Sequence, residues 1–212
     1  MEATIIAVGN GGYNIAIDLI NSNVFRNYKM IYIDTSDDID KIQNKKNENK
    51  PIYGEFLPKI SSQDVAEYIS DLELWEQNIN GLYDNFIICA ALGGNTGTNL
   101  APLYALASKR RGKYVCSIFS TPFIEGQTRS ELDKIATTNM QLISFSDLTI
   151  QQNNENLKNI RGHINMPLVD TFRALVQKRF FEDLASMEDE QLKSIIPQNY
   201  KSIIAISNQN KM

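Results

Sequence analysis

Two glycine clusters carry the residue types that can hold an anion: Gly9-Asn10-Gly11-Gly12, and Gly93-Gly94-Asn95-Thr96-Gly97-Thr98. Glycine lets the main chain come close to a ligand, and the Asn and Thr side chains add short hydrogen-bonding groups. Each cluster follows an apolar run and precedes residues at helical spacing, so each reads as a turn between a strand and a helix. A helix start offers unpaired N–H groups and a positive dipole end, which together suit phosphate. No catalytic set stands beside these cradles. The single histidine, His163, lies in a polar segment with no second histidine or cysteine cluster, so no metal site is expected. Cys89 and Cys116 fall in apolar runs and read as reduced core thiols.

The first cluster by itself also suggests a dinucleotide fold. Gly9-x-Gly11 is followed by a strand over 30–33 and then by Asp34, about where an acid would take the ribose hydroxyls. The third glycine of that fingerprint is replaced by Asn14, and a dehydrogenase has no evident need for a second cradle. An NAD(P)-dependent oxidoreductase is therefore the remote alternative.

The second cluster, extended to Asn99, resembles Gly-Gly-Gly-Thr-Gly-Thr-Gly, with which the tubulin and FtsZ family wraps the phosphates of a guanine nucleotide. Two of its glycines are Asn95 and Asn99 here. The likeness is closer to FtsZ and runs over about 4–184. Val8 to Asn14 is similar to the FtsZ run Gly-Val-Gly-Gly-Gly-Gly-Gly-Asn, which puts Asn14 where the family contacts guanine; on the residues alone it could equally be an exposed polar side chain. Asp34 falls where FtsZ usually has asparagine, and its charge near a polyphosphate must be offset by Mg²⁺ or by distance. Ser120 to Arg129 resembles Pro-Phe-x-Phe-Glu-Gly-x-x-Arg with one residue deleted before the acid. That implies Glu125 on the ribose and Arg129 near phosphate; the plain alternative is a capping acid and a surface arginine.

Asn154-Glu155-Asn156-Leu157 is the best match to the FtsZ run Ile-Pro-Asn-Asp-x-Leu, implying Asn154 as a guanine reader with Asn153 as the alternative. Phe172 falls where the family lays a ring against the base, although its place on an apolar stripe is that of a core residue. Val176 stands where FtsZ has another guanine-contacting asparagine. The charged segment 37–50 leads to a region where FtsZ has a γ-phosphate-sensing glycine loop and this chain has Gly54 alone. After its central helix FtsZ has an Asn-x-Asp-x-x-Asp loop and a second domain. Here Glu188-Asp189-Glu190 reads as a set of charges at the start of a short helix, followed by a strand over 202–206.

The resemblance implies a nucleotide-binding domain over 1–187 and a short extension over 188–212 in place of the second domain. Its implied cofactor is GTP or GDP, with Mg²⁺ accompanying the nucleotide. The implied function is guanine-nucleotide binding with hydrolysis weak, absent or dependent on a partner. A GTP-dependent, self-assembling cytoskeletal GTPase is the alternative, and head-to-tail self-association or an FtsZ-like partner would go with it.

Positioning two cradles side by side requires a sheet. Strands are expected over 4–8, 30–33, 86–92, 113–119 and 144–150. Helices are expected over 13–20, 61–74, 100–107 with Pro102 in the first turn, 130–142 and 167–187. Their alternation predicts a three-layer, Rossmann-like α/β fold with a mostly parallel sheet and helices on both faces. The 212 residues, 42% of them hydrophobic, suffice for the core of one such domain. A net charge of −4 argues against nucleic acid as a main partner. No apolar run approaches the ~20 residues of a membrane span, and Met-Glu-Ala-Thr lacks the basic region of a signal peptide, so a cytoplasmic protein is expected.

Overall fold

The computed structural model describes residues 1–34, 82–157, 164–178, 187–196 and 204–208. The helix expected over 61–74, the connection around Gly54 and His163 lie outside the described residues.

Six strands form one sheet: β1 (Glu2–Val8), β2 (Asn27–Ile33), β3 (Asn85–Ala91), β4 (Tyr114–Thr121), β5 (Leu148–Asn153) and β6 (Ile204–Asn208). Their order is β2-β1-β3-β4-β5-β6; the first five are parallel, and β6 runs antiparallel to β5. In β1 every residue from Ala3 onward is buried, as expected of a strand covered on both faces. Between the strands lie α1 (Gly9–Asn21), α2 (Asn95–Arg110), α3 (Arg129–Phe145), α4 (Met166–Lys178) and α5 (Asp189–Ile195), with a 3₁₀ turn at Asn154–Leu157.

Alternate side chains of each strand enter different cores. Ile5, Ile87 and Ile118 pack with Ile15 and Leu19 of α1 and with Leu168 and Leu175 of α4. Ile6, Ile88 and Phe119 pack on the other face with Leu100 and Tyr104 of α2 and Ile135 of α3. Each such side chain contributes about 1.5–3 kcal/mol on full burial, so the sheet is held between two cores of similar make. The residues after 187 join the first core through Leu192, Ile196, Ile204 and Ile206.

Several boundaries differ from expectation. Helix α1 begins at Gly9 and α2 at Asn95, so both glycine clusters reach into first turns of helix instead of standing apart as loops. Pro102 consequently lies inside α2, beyond its first turn. Helix α3 continues to Phe145, and β5 starts at Leu148 rather than at 144. The polar end of α3 is carried on locally by the Ser144 hydroxyl, which donates to the Met140 carbonyl at 2.9 Å. Glu188 caps α5 in a reciprocal box with Gln191, and Asp189 and Glu190 occupy its first turn, as the charge cluster suggested. Cys89 and Cys116 are fully buried and unbonded to one another, and burial pushes both thiols up.

Candidate functional site

The site lies at the carboxyl ends of β1 and β3, adjacent strands from which the chain departs in opposite lateral directions. Strand order reverses here, and in open α/β sheets that is where the crevice for a ligand forms. Gly9 to Gly12 make the first turn of α1, and Asn95 to Thr98 make the first turn of α2. The two turns meet where Gly9 stands against the Thr96 side chain.

Gly11, Gly12, Gly93 and Gly97 have no room for a Cβ in this packing, and two of them show why. A Cβ on Gly12 would lie 2.2 Å from the Cys89 carbonyl oxygen, so only a bare main chain lets α1 descend onto β3. Gly93 has φ +103°, and a Cβ there would come within 2.8 Å of the Pro122 ring. Gly94 is different. A Cβ added to it meets nothing within 4 Å, which leaves open space above the start of α2.

Neither α1 nor α2 has a side-chain cap, and neither carries an acidic residue in its first turn. Helix α3 contrasts with both. Thr128 caps it, the Glu131 carboxylate accepts the Thr128 N–H at 2.7 Å, and these hydrogen bonds hold Glu131 below its ordinary 4.5. The cap is therefore Thr128 with Glu131, and not Glu125. The uncapped N–H groups of α1 and α2 and their aligned dipoles fit a polyphosphate bound across both turns.

The loop before α2 is tied to its surroundings. The Gly93 N–H donates to Thr98 Oγ1 at 2.9 Å, the Leu92 N–H donates to the Ser120 carbonyl at 2.8 Å, and the Asn99 amide donates to Asn95 Oδ1 at 2.6 Å. Asp34 is 5% exposed; Thr96 Oγ1 donates to its Oδ1 at 2.8 Å, and the Tyr32 hydroxyl donates to its Oδ2. Both carboxylate oxygens are thus engaged by protein. Asp34 fastens the end of β2 to the first turn of α2, a role that Tyr32 shares and that the sequence alone did not reveal.

Asn10 and Asn14 are exposed on the first turns of α1, and Asn154 is half-buried, accepting a hydrogen bond from Gln152 Nε2 at 3.1 Å. The Ile124 N–H donates to the Glu155 carboxylate, which brings the loop carrying Glu125 against the turn carrying Asn154. Glu125 is exposed beside Gly126, and Arg129 is exposed at the first position of α3 with no ion pair among the described residues. Phe172 is fully buried, its ring 5.8 Å from that of Phe25, in the core position that its apolar stripe suggested. Val176 is partly buried against the same core.

Among the described residues no group of three His, Cys, Asp or Glu gathers to hold a metal. No described helix is long and apolar enough to cross a membrane.

The family model described as "Tubulin/FtsZ family, GTPase domain" matches residues 2–162. The chain is 27% identical over 166 residues to cell division protein FtsZ 2 of Rhizobium meliloti (strain 1021), covering 74% of this chain and 45% of that protein. It is similar in structure to an empty FtsZ dimer from M. jannaschii, with a TM-score of 0.61 and 18% identity over 83% of this chain and 54% of that one. It is also similar to a GTPγS-bound protofilament of CetZ2 from Haloferax volcanii, with a TM-score of 0.64 and 13% identity over 89% of this chain and 63% of that one. At such identities the structural likeness is one of fold. The chain spans about half the length of the relatives it matches.

Proposed function

Because the chain belongs to the tubulin/FtsZ family, we propose that it binds a guanine nucleotide across the first turns of α1 and α2. One observation carries the reading: two helix starts with neither a side-chain cap nor an acidic residue of their own converge at the switch point of a parallel sheet, the nearby Asp34 carboxylate being engaged by Thr96 and Tyr32. Gly9 to Gly12 and Gly94 to Gly97 supply main-chain N–H groups to the phosphates, while Gly93 and Thr98, bonded N–H to hydroxyl, hold the turn in shape. Asn14 and Asn154 offer carboxamides to the base edge, Glu125 takes the ribose hydroxyls, and Arg129 reaches toward phosphate. Mg²⁺ enters with the nucleotide and supplies charge neutralisation beside Asp34. No residue is assigned to water activation, so hydrolysis is weak, absent or completed by a partner.

A second reading is favoured by the protofilament formed by the Haloferax relative: GTP-dependent head-to-tail assembly of this chain. Sedimentation at rising protein concentration with GTP and Mg²⁺ tests it. Pelleting that requires GTP supports assembly, and monomer throughout excludes it.

The binding reading is tested by thermal-shift titration of nucleotide-stripped protein with GTP, GDP, ATP and NAD, each with and without Mg²⁺. A ligand at one hundred times its Kd stabilises the folded state by about 2.7 kcal/mol, which for a chain of this size raises Tm by roughly 5–10 °C. A rise with GTP and GDP alone is the expected result. A rise with NAD alone would restore the oxidoreductase reading, and no rise with any ligand would remove the site.

A further inference from the structure

We infer that Thr138, on α3, is a positioning residue for the Gly93–Thr98 cradle, acting through Thr98. Pro102 has no N–H, so inside α2 it brings no hydrogen bond to the carbonyl of Thr98, four residues earlier. The Thr138 hydroxyl takes the vacant place: Oγ1 donates to the Thr98 carbonyl oxygen at 3.1 Å, and Thr138 is 4% exposed. Thr98 itself is 5% exposed, and its own hydroxyl oxygen accepts the Gly93 N–H at 2.9 Å. Thr98 is therefore held from two sides, its carbonyl by α3 and its hydroxyl by the turn that precedes α2.

The bond from Thr138 crosses from one helix to its neighbour at the single turn where α2 lacks its own donor. Without it, a buried carbonyl is left unsatisfied, and such a group recovers a partner by tilting its peptide or admitting water. Either response moves Thr98 and releases Gly93, whose positive φ and contact with Pro122 shape the mouth of the cradle. Alanine at position 102 would return an N–H to the Thr98 carbonyl and make the hydroxyl of residue 138 dispensable. The proline and the threonine thus form one device, legible as such because neither alone accounts for the other.

The effect on ligand binding rests on the proposed nucleotide site, whereas the effect on the loop does not. Amide hydrogen exchange at Gly93 in the ligand-free full chain reads the loop, and the Kd for a fluorescent GDP analogue reads the site. Thr138→Val keeps the shape and removes the donor; it is expected to speed Gly93 exchange and weaken GDP binding, each by about tenfold. Thr138→Ser is expected to leave both unchanged, and Pro102→Ala in the Thr138→Val background to return both toward the starting values. Unchanged Gly93 exchange in Thr138→Val overturns the inference, as does a Thr138→Ser variant equally impaired. If Thr138→Val does not fold, the double variant decides: folding with slow Gly93 exchange supports the inference, and failure to restore either one overturns it. Faster Gly93 exchange in a chain that binds no guanine nucleotide upholds the link to the loop and removes the proposed function instead.

Discussion

An added methyl group would have opposite consequences at Gly12 and Gly94. At Gly12 it would meet the Cys89 carbonyl at 2.2 Å, and main chain cannot yield cheaply, so Gly12→Ala should lower stability by about 1–3 kcal/mol in a denaturant titration. At Gly94 it would meet nothing within 4 Å, and φ −84° is ordinary for any residue. Gly94→Ala should therefore cost less than about 1 kcal/mol, yet weaken GDP binding by about tenfold, because the methyl stands in the space given to phosphate. Equal binding in Gly94→Ala and the parent would take the phosphates away from α2. The glycines were legible from their types alone. Tyr32 and Thr138 were not, since a buried hydroxyl reveals its partner only once the chain is folded. Phe172 was open to two readings, its position matching the family's base-contacting ring and its apolar stripe pointing to the core, and it is fully buried in the core.

Among the described residues, two kinds of helix start stand out. Those of α3 and α5 are closed by capping boxes carrying acids, and those of α1 and α2 are left open at the proposed site. The α3 box has a pH signature. A carboxylate whose value is lowered in the folded state stabilises fully above its unfolded value and loses that contribution as pH falls through the folded one. Glu131 is lowered from 4.5 by its hydrogen bonds from Thr128, so the start of α3 should be unaffected above pH 4.5 and loosen below it. The Thr128 amide resonance should titrate with a midpoint under 4.5 and lose this response in Glu131→Gln; a midpoint at or above 4.5 would mean that the box is open in solution. Element order and most strand positions followed from the apolar runs. Helix starts did not, because periodicity marks only turns that carry apolar side chains, and the first turns of α1 and α2, although largely buried, are glycine, asparagine and threonine.

Across the whole molecule, the two edges of the sheet do different work. At the amino edge, Asp147 is 1% exposed, paired with Lys109, and accepts the Val115 N–H at 2.9 Å. Lys109→Met should remove about 1–3 kcal/mol of stability, the partial exposure of the lysine moderating the loss, while GDP affinity stays within twofold of the parent. A large fall in affinity would show that the edges are coupled. The three-layer fold was readable in advance because parallel strands buried on both faces leave long apolar runs, and the family match extends over most of them. The antiparallel direction of β6 has a further consequence, in the order of synthesis. Strands β1 to β5, with both glycine turns at their ends, leave the ribosome before the residues of β6, and domains begin to fold from the N-terminus as they emerge. Both glycine turns are thus in place while β5 still presents an open hydrogen-bonding edge. During that interval the edge of β5 is an unpaired template for another strand, and β6, arriving last, closes it.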